Sequence, residues 1–462
     1  MERENAWKKY KKSDVAELEQ ICGNYRNFLD VGKTERECCV ESVKQAEAAG
    51  YKDINDFIGK KKKLKAGDKI YAVNMGKALA LFNIGEEPLE CGMNILGAHI
   101  DSPRLDVKQN PLYEDSEMTY LDTHYYGGIK KYQWVTIPLA IHGVVVKTDG
   151  TVINVVIGED ESDPVVCVTD LLIHLASEQL DKKGAKVVEG ENLDILIGSR
   201  PIASAVKDKK ELVKENILKL LKDKYDFSEE DFISAELEIV PAGKSRNAGL
   251  DSSMVMAYGQ DDRVCAFTSL AAMMDEKKVK KTACCLLVDK EEIGSVGATG
   301  MRSSFFENTV AELINMVGDY SELSLKRCLK NSRMLSSDVS AAFDPQYASA
   351  FEKKNAAYLG KGIVFNKFTG SRGKSGSNDA NAEYVGAVRA IMEQKNVSYQ
   401  TAELGKVDIG GGGTIAYILS LYGMEVIDCG VAVLNMHAPW EVTSKADIFE
   451  TYKAYRAFLE LA

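Results

Sequence analysis

Short apolar runs of strand length end on ionisable side chains at widely separated points of this chain. Met93-Asn-Ile-Leu-Gly-Ala-His99 delivers His99, Thr282–Val288 leads to Glu291-Glu292, and the strand read from Met424 to Met436 ends at His437. Between them helical patterns span Asp261–Glu276, Phe305–Val317 and Asn378–Gln394, an alternation that predicts an α/β fold. In open α/β sheets ligands bind outside the carboxyl ends of the strands, so this fold would gather the ionisable side chains at one edge. Two further strands, Lys69–Met75 and Ala78–Phe82, precede the one that carries His99. The stretch from Asn5 to Ala48 reads as two helices, the second opened by Thr34 and Glu37 at the spacing of a capping box.

The alternation is interrupted once. Between Leu105 and about Gly249 the chain turns β-rich: Val135–Val146 is joined through Asp149-Gly150 to Thr151–Ile157, a hairpin pattern. A helix near Thr169–Leu180, another near Ile202–Lys222, the strand Ala235–Val240 and the turn residues Pro241–Gly249 complete this stretch. The expected organisation is one discontinuous α/β domain, 1–105 plus 255–462, with 106–254 inserted as a β-rich domain.

With 462 residues, 45% of them hydrophobic and 27% charged, the chain has enough apolar material for cores that need no staples. A net charge of −11 argues against nucleic acid, because neutralising phosphates takes clustered Lys and Arg. The one basic cluster, Lys60–Lys65, reads as a short surface loop. No apolar run reaches membrane-spanning length, and the charged start lacks the apolar centre of a signal peptide. Ten cysteines without a C-x-x-C pair, most of them in apolar runs, read as reduced core residues. The expected location is the cytoplasm, with no membrane partner.

Each ionisable candidate has a structural reading beside a functional one. In His99-Ile-Asp101 the imidazole can bind a metal while the carboxylate holds its other nitrogen, or both are ordinary surface groups. Glu291-Glu292 beside a buried strand repel one another unless a cation intervenes, or they sit in a solvated loop. Asp261-Asp262 fits a bridging carboxylate and its neighbour, and equally a helix N-terminus. Asp338 fits a turn or cap, and His437 a core histidine. The glycines Gly410–Gly413 offer backbone amides to an anion, but the Lys-Ser/Thr ending of a phosphate-binding loop is missing. Taken together, the set supplies what a two-metal hydrolase needs: a bridging carboxylate, an imidazole and a carboxylate for each ion, and one more carboxylate to take a proton from water.

The strings GAHIDSPRLD (Gly97–Asp106), DDRV (Asp261–Val264), DKEEIGS (Asp289–Ser295), SSDVSAAFDPQY (Ser336–Tyr347) and NMHAPWE (Asn435–Glu441) resemble, in order and spacing, the aspartyl and vacuolar aminopeptidase family of dinuclear zinc exopeptidases. The resemblance covers essentially the whole chain, including Asn5–Tyr10 and Thr123–Trp134, and is closest to the bacterial members. It implies a mixed sheet flanked by helices, with the inserted domain serving dimerisation. It implies a metal-dependent aminopeptidase acting on peptides with a free N-terminus, with two divalent ions per subunit, zinc before cobalt or manganese. By the same resemblance His99 and Asp338 hold one ion, Glu292 and His437 the other, and Asp261 bridges them. Asp101 orients His99, Glu291 is the general base, and the peptide between Asp261 and Asp262 is cis. His174 is the histidine that reaches a neighbouring subunit's site to stabilise the tetrahedral intermediate, and the assembly is a tetrahedral dodecamer built from dimers. Lys374 takes a substrate-side position, although its surroundings depart from the animal aspartyl enzymes and put a preference for acidic residues in doubt. The rival readings are a dinuclear deacylase of N-acyl amino acids and a non-catalytic assembly of the same fold.

Overall fold

The strands Thr282–Val288 and Met93–His99 are buried along their whole length, which is why their sequences are apolar runs rather than alternating ones. They lie side by side in parallel, followed by Arg333–Ser337 and Glu425–Gly430, as the four central strands of a nine-stranded sheet. Flanking strands run antiparallel to this centre: Ala78–Asn83 on one side and Ile363–Asn366 on the other. Register places Val288 beside His99 and Ser336 beside Gly97, so the parallel strands end at one level.

One face of the sheet packs Leu96, Leu335 and Ile427 against helices that contribute Tyr25, Phe267 and Tyr455; the other packs Ile95, Met334 and Val426 against Val310, Leu313 and Ile418. The helices are Lys12–Val31, Glu35–Ala48, Gln260–Asp275, Ala382–Gln394 and Lys445–Leu461 on the first side, and Phe305–Val317, Glu322–Asn331 and Ala416–Ser420 on the second. Thr34 caps Glu35–Ala48 through the reciprocal bonds its sequence predicts: Glu37 N–H donates to the Thr34 hydroxyl oxygen, and the Glu37 carboxylate accepts from Thr34 N–H.

These elements belong to a computed structural model that describes residues 3–60, 63–203 and 210–462. The chain divides into two units: Met1–Ser102 with Ser245–Met436 and Glu441–Ala462, and Pro103–Lys244 with His437–Trp440. The insertion therefore opens after Ser102 and closes at Lys244, and the four residues from His437 group with it rather than with the strands on either side. In the second unit six antiparallel strands run in the order Val152–Ile157, Leu139–Val146, Ala235–Pro241, Arg104–Asp115, Met118–Tyr126, Ile195–Gly198. Within the first unit a five-stranded sheet holds Met254–Ala257, Glu441–Ser444 and Ala432–Leu434 at its middle.

Several elements differ from their sequence reading. The run Met424–Met436 is two strands in two sheets, Glu425–Gly430 and Ala432–Leu434. The change occurs where the chain passes against Asp338: a Cβ on Gly430 would sit 2.0 Å from the Asp338 carbonyl oxygen, and Asp338 N–H donates to the Cys429 carbonyl at 2.8 Å. The stretch Thr169–Leu180 is not one helix but a 3-10 turn, Ile173–Leu175, and a single helical turn, Ser177–Leu180. Leu171, Leu172, Ile173 and Leu175 are all exposed, so no apolar face is covered that would stabilise a longer helix. The helix read as Ile202–Lys222 is Leu212–Tyr225, and 204–209 lie outside the described residues, as do Lys61 and Lys62 of the basic cluster. The helix read from Asn378 begins at Ala382, because Asn381 before it is extended; the Asn378 side-chain amide donates to the Val426 carbonyl. Among the described residues no helix is long and apolar enough to cross a membrane.

Candidate metal centre

Three loops at the carboxyl ends of the parallel strands, and one helix start, bring their side chains to a single place. His99 closes its strand, Asp338 follows Ser337, and Glu291-Glu292 form a 3-10 turn three residues beyond Val288. Asp261 comes from the first turn of Gln260–Asp275, where its φ of −80° and ψ of 108° are not helical and its peptide bond to Asp262 is cis. His99 Nε2 lies 3.3 Å from Asp261 Oδ1 and 3.9 Å from both Glu291 Oε2 and Asp338 Oδ1. Two sets of ligand atoms, His99–Glu291–Asp338 and His99–Asp261–Glu292, each fall within 4.8 Å of one another. Both glutamates are thus within reach of the imidazole, and these distances alone leave ligand and base interchangeable between them.

Asp101 explains the order of this cluster. Its carboxylate lies 3.3 Å from His99 Nδ1, and the same nitrogen is 3.0 Å from the Asp101 carbonyl oxygen. With Nδ1 as donor, Nε2 keeps the lone pair that a metal requires. The Asp101 oxygens also accept from Glu291 N–H at 3.1 Å and Glu292 N–H at 3.2 Å, so one buried carboxylate aligns both the ring and the turn carrying the two acids. Asp262 adds a further support by accepting from His99 N–H at 3.3 Å.

The electrostatics fit a cation. Four carboxylates face one imidazole in a buried place, and like charges so close hold one another protonated unless positive charge intervenes. Burial pushes the Asp338 carboxyl well above its usual range, and the nearby Asp262, Glu291 and Asp261 push it further. Burial also raises Asp262 well above the usual carboxylate range. For His99 burial acts downward, but hydrogen bonds with Asp101 and Asp261 and the charge of Glu291 outweigh it, leaving the imidazole well above its usual value. A divalent ion relieves each of these shifts, and an imidazole with carboxylates is a donor set that zinc accepts.

Among the described residues, the two ligand sets do not include the remaining candidates, each of which is placed within its own unit. His437 belongs to the second unit, has a φ of 66°, and has its Nδ1 2.7 Å from the Gly128 carbonyl oxygen. As in His99, a backbone carbonyl occupies Nδ1 and directs the lone pair to Nε2. His174 is also in the second unit, on the exposed turn Ile173–Leu175. Lys374 is in the first unit, where its ammonium donates to Asp379 Oδ2 at 3.0 Å and sits 3.8 Å above the centre of the Phe368 ring. The sequence reading gave no part to Ser102 and Glu441, although both stand within the quoted strings. Ser102 Oγ donates to the Asp261 carbonyl at 2.7 Å and Glu441 Oε2 accepts from Asp261 N–H at 3.0 Å. Those partners are 159 and 180 residues apart in the chain, which no local pattern reveals.

A buried imidazole crowded by acids beyond the ends of the central parallel strands is the donor set that a metal-dependent hydrolase uses. Comparison with known proteins gives the family: the profile of "Aminopeptidase I zinc metalloprotease (M18)" matches residues 28–459, and the chain belongs to it. A protein of Clostridium acetobutylicum named "Probable M18 family aminopeptidase 1" is 64% identical over 458 residues, covering 99% of this chain and 98% of that one. Crystal structures of an M18 aminopeptidase from Thermotoga maritima and of aminopeptidase I from C. acetobutylicum superpose with TM-scores of 0.94 and 0.92 at 45% and 61% identity. Each covers 100% of this chain, which itself covers 100% and 99% of theirs. The mApe1 dodecamer of yeast, 20% identical with a TM-score of 0.74 over 95% of this chain and 96% of its own, shares the fold. The protein is a metal-dependent aminopeptidase, a zinc hydrolase with a mixed α/β fold, and the deacylase and non-catalytic readings are not favoured.

Proposed function

We propose that each subunit holds two zinc ions and removes N-terminal residues from peptides with a free α-amino group, with the discontinuous α/β unit catalytic and the β-rich insertion serving dimerisation. The observation that carries this reading is the position of His99, shared between two carboxylate sets within ligand distance. Following the family resemblance, His99 and Asp338 would hold one ion and Glu292 and His437 the other, with the Asp261 carboxylate as a ligand shared by both. Zinc, when bound, supplies Lewis acidity to the scissile carbonyl and to a water molecule. Glu291, whose side chain keeps 17% of its exposure, takes the proton from that water and returns it to the leaving amine. Asp101 keeps the imidazole and the glutamate turn in register while this happens.

The assembly completes the reading. His174 stands in an exposed apolar segment with Leu171, Leu172, Ile173 and Leu175, a surface suited to burial against a second copy of the chain. We assign His174 to the neighbouring subunit's site, within dimers that build a tetrahedral dodecamer in the cytoplasm. His174→Phe should leave zinc content and assembly intact while lowering kcat by roughly 10²-fold, the scale of losing one transition-state donor. An unchanged kcat would remove the shared-site assignment.

The substrate class follows from Lys374. Its charge is already matched by Asp379 and its ammonium lies over the Phe368 ring, so it recruits an acidic N-terminal side chain poorly. A panel of aminoacyl chromogens at defined zinc loading, with N-acetyl amino acids as controls, should show cleavage of neutral aminoacyl substrates ahead of acidic ones and none of the acylated set. Two zinc ions per subunit should be found in the same preparation. One ion per subunit at full activity, or hydrolysis of the acylated set, would overturn the proposal.

A further inference from the structure

We infer that Glu441 is a positioning residue for the metal centre, holding the backbone of Asp261 so that its carboxylate stays directed at His99. The inference rests on the assignment of Asp261 as a zinc ligand. Residues in the first turn of a helix lack intrahelical partners for their amides, and Asp261, with its non-helical ψ of 108°, also removes its carbonyl from the helical ladder. Both groups are buried, and buried backbone polar groups require partners. Ser102 Oγ serves the carbonyl at 2.7 Å and Glu441 Oε2 the amide at 3.0 Å, so two side chains grip the residue from either end.

Glu441 is 1% exposed, and its own backbone is fixed by two independent features. Its strand pairs antiparallel with Met254–Ala257, in register Ala257 to Glu441. Its carbonyl accepts from Gln260 Nε2 at 2.7 Å, and Gln260 Oε1 in turn accepts from the Tyr25 hydroxyl at 3.1 Å and the Thr443 hydroxyl at 2.6 Å. The side chain of the residue before Asp261 is thereby clamped to the same strand that presents the carboxylate. Glu441 is also four residues beyond His437, so one short segment supplies both that histidine and the support for Asp261.

The test uses Glu441→Asp, which keeps the charge but shortens the reach by one methylene, Glu441→Ser, which removes the carboxylate, and Glu441→Gln, which keeps an acceptor oxygen at the same reach. Zinc dissociation constants, melting curves of the zinc-free protein, and kcat and KM are measured for each. We expect the Asp and Ser variants to bind zinc about 10–100-fold more weakly, the scale of losing an outer hydrogen-bond partner. At saturating zinc their kcat should fall with KM nearly unchanged, and Gln should restore both zinc affinity and kcat to within a few-fold of the parent. Lower melting temperatures with unaltered zinc affinity would show a merely structural role and overturn the inference, as would failure of Gln to rescue. Asp261→Asn, measured alongside, separates the two layers: full zinc affinity there refutes the ligand assignment, whereas weak binding there with parental binding in every Glu441 variant refutes only the positioning.

Discussion

Glu291→Gln is expected to lower kcat by about 10²–10⁴-fold, the span attributable to general acid–base catalysis, with zinc content and melting curve unchanged. Glutamine fills the same volume but accepts no proton at neutral pH. The turn that carries it is held through backbone amides, Glu291 N–H and Glu292 N–H on the Asp101 carboxylate, and neither bond involves the substituted side chain. Loss of turnover with an intact centre is therefore specific to the proton-transfer role. Because both glutamates lie within ligand distance of His99, the same measurement separates them: Glu292→Gln should lose zinc as well as activity. If Glu291→Gln instead lost zinc and kept its turnover per bound ion, the two roles would have to be exchanged.

Asp261→Asn is expected to have the second large effect, a loss of zinc accompanied by a fall in activity on the order of 10³-fold or more, since Lewis-acid stabilisation is worth several kcal/mol and each 1.4 kcal/mol is tenfold. Zinc removal should also reveal the charge crowding. Asp338 and His99 have folded-state pKa values above their ordinary ones in the metal-free centre, so the folded chain holds protons there that the unfolded chain releases. For both groups that contribution to stability is complete at pH values below the unfolded pKa and is lost as pH rises through the folded one. The zinc-free protein should thus grow less stable from the ordinary carboxylate range upward. Zinc should stabilise it more at higher pH and should displace protons on binding. Calorimetric titration in two buffers of different ionisation enthalpy reads that release directly. Identical heats in both buffers would mean that the acids are already ionised.

The strands that frame the centre were legible because burial on both faces leaves an unmistakable apolar run, as in Met93–His99 and Thr282–Val288. The Thr34–Glu37 capping box was legible because its chemistry is local. The exposed stretch around His174 misled the helical reading: apolar side chains with no covering face look, in sequence, the same as ones packed in a core. The split of Met424–Met436 into two strands was hidden because it depends on the distant Asp338 carbonyl approaching Gly430.

The sequence by itself determined the types of the central strands and their flanking helices, the interrupted α/β order, and, among its candidates, His99, Asp101, Asp261, Glu291, Glu292 and Asp338, because apolar periodicity and residue chemistry are carried by neighbours along the chain. Tertiary structure alone decided that these six converge and that Asp101 serves ring and glutamate turn together. It likewise decided that Ser102 and Glu441 grip the two ends of Asp261. Hydrogen bonds and charge repulsion act over a few ångströms of space, and the residues hydrogen-bonded to Asp101 here lie up to 191 positions along the chain from it, a distance across which local sequence pattern carries no information.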